Sequence, residues 1–243
     1  MGAIGLGESL LSKGRRLLVI SPHPDDETFG CGGLMARAVD AGCEVAVMVI
    51  SAPEALPQFG ADEAVVGGDR RRSEFEAAMA VLGVRDHEVL FTSDEVHMRL
   101  DAMPQAELVG LIERRAGYAF EAFRPDIVCM PAPSYNQDHV AVFRAVIAAC
   151  RPHLPADKAF ASLVMEYDQP QLGWGAEPFH PNLHVDIGAT LERKLAAYGC
   201  YRSQIRQEPH HASLANVERL ARLRGSEVSL AAAEAFRVRR LVL

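Results

Sequence analysis

The segment Ser21-Pro22-His23-Pro24-Asp25-Asp26-Glu27-Thr28 sets one imidazole beside two adjacent carboxylates. That combination offers a cation a nitrogen ligand and an oxygen ligand, with a base to spare. Pro22 and Pro24 carry no backbone N–H and push the residues before them toward extended conformations. A sheet ladder entering from Leu17-Leu18-Val19-Ile20 should therefore stop here and display these side chains on a loop. A plainer reading is that Asp25, Asp26 or Thr28 caps the helix that follows and His23 is an exposed loop residue. A second cluster favours the chemical reading: Pro131-Ala132-Pro133-Ser134-Tyr135-Asn136-Gln137-Asp138-His139 follows an apolar run at 127–130 and opens a helical pattern at 140–150. If the two runs are close in one sheet, His139 can converge on the first loop. Two histidines and one aspartate would then hold an ion and leave a position open for water. Asp138 could orient a neighbouring ligand from behind or simply cap the helix.

Short aliphatic runs at 17–20, 45–50, 89–91, 127–130, 163–165 and 184–187 alternate with helical patterns. Those patterns lie at 33–41, 69–82, 105–123, 139–150 and 189–201. The rhythm predicts an α/β fold: a Rossmann-like three-layer arrangement around a mostly parallel sheet, with right-handed crossovers, in a single domain over 1–243. Ligands of such sheets bind at the carboxyl ends of the strands. The Pro- and Gly-rich stretches 52–68 and 169–182 leave such ends and are candidate pocket walls. The aromatic residues Tyr135, Tyr167, Trp174 and Phe179 could stack on a ligand ring, although core packing is the commoner role.

With 243 residues, 49% hydrophobic and 23% charged, the chain can bury a sizeable core. A formal charge of −7 provides no basic surface for nucleic acid and suits a small neutral or polar substrate. Five scattered cysteines, an odd number with no Cys-x-x-Cys pair, argue against a disulfide framework and a thiolate zinc site. The first twenty residues lack the order of a secretory signal, and no apolar run has the length of a membrane span. The expectation is a cytoplasmic protein without membrane insertion, with homo-oligomerisation left open.

Taken in order along the chain, Pro22-His23-Pro24-Asp25-Asp26-Glu27, Arg71-x-x-Glu74 before Ala80-Val81-Leu82-Gly83-Val84, Gln137-Asp138-His139, Val185-Asp186-Ile187, Lys194, Ser203-Gln204 and the tail Ala233-Glu234-Ala235-Phe236-Arg237 resemble the PIG-L/LmbE family of metal-dependent N-deacetylases. The resemblance implies a zinc ion on His23, Asp26 and His139, Asp25 as general base, and Arg71 reaching polar groups of the substrate. It implies removal of an N-acyl group, most commonly acetyl, from an amino sugar or sugar conjugate. The sequence departs from the family twice. Asn136 stands where the first histidine of His-x-Asp-His is usual, and Tyr201 where a histidine before Ser-Gln is common. Asn136 could still donate a hydrogen bond to developing negative charge, but it cannot titrate. Asp25, once protonated, is then the nearest acid for the departing nitrogen, ahead of His180, His184, His210 or His211. His87, His97 and His153 have no comparable context.

Three alternatives stay open. Two histidines and a carboxylate also suit Fe²⁺. The same site could cut the amide of a thiol conjugate. The turn Gly30-Cys31-Gly32-Gly33 could serve a non-catalytic nucleotide-binding module, although it lacks the G-x-G-x-x-G spacing and two carboxylates before it would repel a pyrophosphate.

Overall fold

A computed structural model describes residues 10–53, 55–57, 65–170, 174 and 178–243. Residues 1–9, 54, 58–64, 171–173 and 175–177, which include parts of the expected pocket walls, lie outside the described residues. Strand β1 (Arg16–Ser21) leads into helix α1 (Asp26–Asp40), β2 (Glu44–Ser51), the short pair β3 (Ala55–Pro57) and β4 (Val65–Gly67), α2 (Gly68–Leu82) and β5 (Asp86–Phe91). Then follow α3 (Gln105–Gly110), α4 (Phe120–Phe123), β6 (Ile127–Pro131), α5 (Gln137–Ala149), β7 (Leu163–Tyr167), β8 (Leu183–Asp186), α6 (Leu191–Tyr198), α7 (Leu214–Ser226) and β9 (Ala233–Leu241).

Seven strands form one sheet in the order β5-β2-β1-β6-β7-β9-β8. The first five are parallel, and β9 runs antiparallel to both its neighbours. Alternation along β1 shows why three layers are stable. Leu17 and Val19 pack into a core with Phe29, Met35, Phe75 and Tyr198, under α1, α2 and α6, while Leu18 and Ile20 pack into a second core with Ile112, Phe120, Val142 and Val146 under α3 to α5. The mixed α/β, Rossmann-like class read from the sequence is the observed one.

Local details differ from the expectation. Helix α1 begins at Asp26, not at 33, so the glycine run lies inside a helix and is not a turn. Acidic Asp26 and Glu27 suit the helix start. The glycines allow close packing: a Cβ on Gly30 would fall 2.3 Å from the Tyr167 ring, and one on Gly33 2.6 Å from Ile187. Lys194 Nζ donates to Phe29 O (2.7 Å), while the Glu234 carboxylate accepts from the backbone N–H groups of Gly33 and Leu34 (2.8 and 2.7 Å), so a buried ion pair props the helix where glycine weakens it.

The helix expected over 105–123 is interrupted. After Gly110 it widens into a π turn at Leu111–Arg115, and the Glu88 carboxylate takes the N–H groups of Gly117 and Tyr118 (3.0 and 2.8 Å). Strand β9 escapes an apolar-run reading because it carries arginines held against the fold: Arg239 donates to Glu166, which is fully buried, Arg240 donates to Ala161 O (3.0 Å), and Arg237 lies on Phe179.

Candidate metal centre and active site

In the parallel part of the sheet, β1 runs to β2 and β5 on one side while β6 and β7 continue on the other, so strand order reverses between β1 and β6. Those two strands pair directly, Leu17 opposite Ile127 and Val19 opposite Cys129. The two clusters leave their carboxyl ends and therefore meet in the crevice where such sheets bind ligands.

The structure brings His23, Asp26 and His139 together, all three buried. Asp26 Oδ2 lies 3.4 Å from His23 Nδ1 and 3.2 Å from His139 Nε2, and the three donor atoms fall within 4.8 Å of one another. Around a tetrahedral ion with bonds of about 2.0–2.1 Å, adjacent donors stand roughly 3.3 Å apart. Asp26 Oδ2 is buried without a hydrogen-bond partner, an oxygen that a cation would satisfy. These residues fit a divalent ion.

Further groups orient the three. Asp138, fully buried, accepts from His23 Nε2 (2.9 Å) and from the backbone N–H of Leu100 (2.9 Å), which leaves His23 Nδ1 to face Asp26 Oδ2. Asp138 does not cap α5. Asn136 does, its Oδ1 accepting from Asp138 N (2.9 Å), while its Nδ2 lies 3.8 Å from Met98 Sδ. Gln169, two residues beyond β7, donates to Asp26 Oδ1 at 2.6 Å. The His97 ring packs edge-on against His23, centroids 4.8 Å apart, with its Nδ1 3.2 Å from Ser51 Oγ. The sequence offered Gln169 only as the start of a candidate pocket wall and gave His97 no functional context, whereas the structure sets both against the cluster. Both sit beyond strand ends, on the segments after β7 and β5, and that position was the available signal.

Asp25 precedes α1 but makes no side-chain capping bond, and its φ of 117° is one an L-residue rarely adopts, at a cost of about 1–3 kcal/mol. Its carboxylate lies 3.6 Å from Arg71 Nη2. Arg71 is buried, donates to Pro24 O (2.5 Å), and leaves Nε and Nη1 without partners. From the same helix Glu74 accepts from Ser203 N and Oγ (2.9 and 2.5 Å), so motif pieces distant in sequence are held side by side.

Burial pushes the Asp25 carboxyl up to about 7 despite Arg71, helped by Asp26 and Glu27. Burial alone would raise Asp26 too, yet the charges of His139 and His23 hold it well below the usual carboxylate range. Burial would lower His23, but Asp138 and Asp26 outweigh it and take the imidazole up to about 9. His97 is held down, to about 4, by burial and by His23. The alternative acids have other partners: His184 meets Glu227 at 3.1 Å, and His210 stacks on His211. Of the aromatic candidates, Tyr167 is buried beneath Gly30 and Phe179 under Arg237, while Tyr135 and Trp174 are exposed.

Fold and site together define a Rossmann-like protein with a buried cluster of two histidines and one carboxylate, able to hold a cation, at the reversal of strand order. Residues 18–150 match the family model PIG-L, GlcNAc-PI de-N-acetylase, and the chain belongs to that family. It is 28% identical over 256 residues to a 1D-myo-inositol 2-acetamido-2-deoxy-alpha-D-glucopyranoside deacetylase of Mycobacterium sp. (strain JLS), an alignment covering 88% of this chain and 82% of the relative. In alignments with other deacetylases of that name the chain spans between 27% and 54% of the relative. Among solved structures, N,N'-diacetylchitobiose deacetylase from Pyrococcus horikoshii superposes with a TM-score of 0.68 at 22% identity, covering 92% of this chain and 83% of the other. GalB, the 4-carboxy-2-hydroxymuconate hydratase from Pseudomonas putida, superposes with a TM-score of 0.72 at 20% identity, covering 94% and 98%. These two likenesses establish the fold, and they show one fold carrying two chemistries.

Proposed function

We propose that this chain is a zinc-dependent N-deacetylase that removes an acetyl group from the nitrogen of an amino sugar in a small glycoconjugate. The observation that carries the proposal is the buried His23–Asp26–His139 cluster, in which Asp26 Oδ2 accepts no hydrogen bond, set beside Asp25 and an Arg71 guanidinium whose Nε and Nη1 have no partner.

Zinc bound there would supply Lewis acidity toward the acyl oxygen and lower the pKa of a water toward about 7. Asp25 takes a proton as the water oxygen bonds to the acyl carbon. As the carbon–nitrogen bond breaks, Asp25 returns that proton to the nitrogen, leaving a carboxylic acid and a free amine. A carboxyl held up near neutrality by burial suits both halves of this transfer. Asp138 fixes the ring of His23, and Gln169 fixes the carboxylate of Asp26. Arg71 directs its two free N–H-bearing nitrogens at sugar hydroxyls. Because Asn136 Oδ1 caps α5, the orientation of its amide is fixed, and its Nδ2 would be the donor offered to negative charge on the acyl oxygen.

The donor set also accommodates Fe²⁺. Metal analysis of the purified protein decides between the ions. The activity is tested by incubating chelated and zinc-reloaded protein with N-acetylglucosaminyl-inositol and N,N'-diacetylchitobiose and measuring free amine. Zinc-restored release is expected. No release from any N-acetylated sugar, with one zinc bound per chain, would sink the proposal.

A further inference from the structure

We propose that Tyr201 is a positioning residue for Asp25, acting through Glu27 to hold the backbone conformation that aims the Asp25 carboxylate into the site. The inference rests on reading Asp25 as the base and extends that reading to a side chain that touches neither substrate nor metal.

Four non-glycine residues among those described have positive φ. Met98, Arg124 and Ser229 lie between 50° and 60°, within the left-handed basin that L-residues can enter, whereas Asp25, at 117°, lies outside it. Such a conformation persists only where its surroundings impose it. One constraint is ordinary helix geometry, since Asp25 O accepts from Phe29 N (2.8 Å). The other is not: Asp25 N donates back to Glu27 Oε2 at 3.0 Å.

At a helix start, an acidic side chain in the first turn commonly reaches back to the N–H of the capping residue, while the capping side chain reciprocates. Here only half of that exchange is present. Glu27 holds the Asp25 N–H, and the Asp25 side chain makes no capping bond. The carboxylate is thereby released to face Arg71.

The arrangement works only if Glu27 itself is held. Glu27 is fully buried, and its second oxygen, Oε1, accepts from Thr28 Oγ1 (2.7 Å) and from the phenol of Tyr201. Tyr201 is also fully buried, packed near Tyr198 just beyond α6. Burial and the adjacent carboxylate keep its phenol protonated, so it remains a donor. A donor 174 positions away along the chain thus anchors the carboxylate that anchors the backbone of Asp25.

Tyr201→Phe removes the donor and keeps the ring. In the zinc-loaded full-length chain, with whichever N-acetylated sugar turns over fastest, kcat should fall about tenfold while KM stays within about twofold and zinc content is unchanged. In an Asp25→Asn background the same change should cost nothing further, because the group it positions is already gone. A crystal structure of Tyr201→Phe should show Asp25 out of its positive-φ conformation or its N–H detached from Glu27. Unchanged kcat in folded, zinc-loaded Tyr201→Phe with Asp25 still at positive φ would overturn the proposal, as would an equal loss in the Asp25→Asn background. Should Tyr201→Phe not fold, Glu27→Gln carries the same test, since one amide cannot accept with both of its end atoms. If the wild-type chain releases no amine, the deacetylase reading fails, while the crystallographic comparison still decides this one.

Discussion

At the scale of single residues, the proposed function gives His23, Asp25, Asp26 and Asp138 separable tasks, and substitution should separate them. Asp25→Asn keeps the three candidate ligands intact, so it should retain zinc while kcat falls by roughly 10²–10⁴. His23→Ala should lose both zinc and turnover. Metal content and amine release measured on the two purified variants check this, and a fully active Asp25→Asn would end the base assignment. Asp138→Asn should weaken zinc binding by about 10- to 100-fold. Its carboxylate is the partner of His23 Nε2 and also holds Leu100 N, and an amide in its place can present the wrong atom to the imidazole. Competition against a zinc-sensitive dye gives the affinity, and an unchanged value would mean that the ring is fixed by its other contacts. The residue types of the site were legible in the sequence, because two prolines, two carboxylates and an imidazole in one short segment announce themselves. The division of labour between Asn136 and Asp138 was not. Either can cap a helix, and only the position of His23 shows which of the two is engaged elsewhere.

At the scale of elements, α1 carries Asp26 and packs so closely on β7 that its glycines have no substitute. Gly30→Ala would drive a Cβ into the ring of Tyr167, itself buried and bonded to Ile20 O (3.3 Å), so neither partner can move freely. Overpacking of this kind costs about 1–3 kcal/mol and should lower Tm by a few to about 10 °C for a chain of this length. Calorimetry or circular dichroism on the variant checks it, and a wild-type Tm would show that α1 can slide. Helix and strand existence was largely readable from periodicity, while the start of α1, the interruption after Gly110 and the strand β9 were not. In each case a distant carboxylate overrides local propensity: Glu234 on α1, Glu88 beyond Arg115, Glu166 under the arginines of β9.

At the scale of the whole molecule, metal, proton and fold are linked. In the metal-free chain His23 has its pKa raised to about 9 from an ordinary 6.5. Its protonated form therefore contributes stability that is fully present below about pH 6.5 and lost as pH rises through about 9. Asp25 has its carboxyl raised to about 7, which acts in the same sense: that contribution is complete below about pH 4 and lost as pH rises through 7. Asp26, held low, works oppositely, its contribution vanishing only as pH falls below the usual carboxylate range. Zinc requires the lone pair of His23 Nδ1 and so expels a proton from the site at neutral pH. The difference in Tm between zinc-loaded and chelated protein should accordingly widen as pH is raised from 6 to 9. Titration calorimetry in buffers of different ionisation enthalpy should show about one proton released per zinc at pH 7 to 8. A constant Tm difference and no proton release would mean that His23 is already neutral in the metal-free chain.

The sequence by itself determined which atoms could hold a cation, that they lie just beyond strand ends, and that the strands belong to an α/β sheet, because these follow from side-chain chemistry and from local periodicity. Only the tertiary structure decided that Asp138 stands beneath His23, that Gln169 and His97 close around the ligands, and that Tyr201 reaches Glu27. Those contacts join segments tens to more than a hundred residues apart. Their existence depends on the order in which strands take their places in the sheet, a choice made by the burial of the whole core and carried by no single stretch of chain.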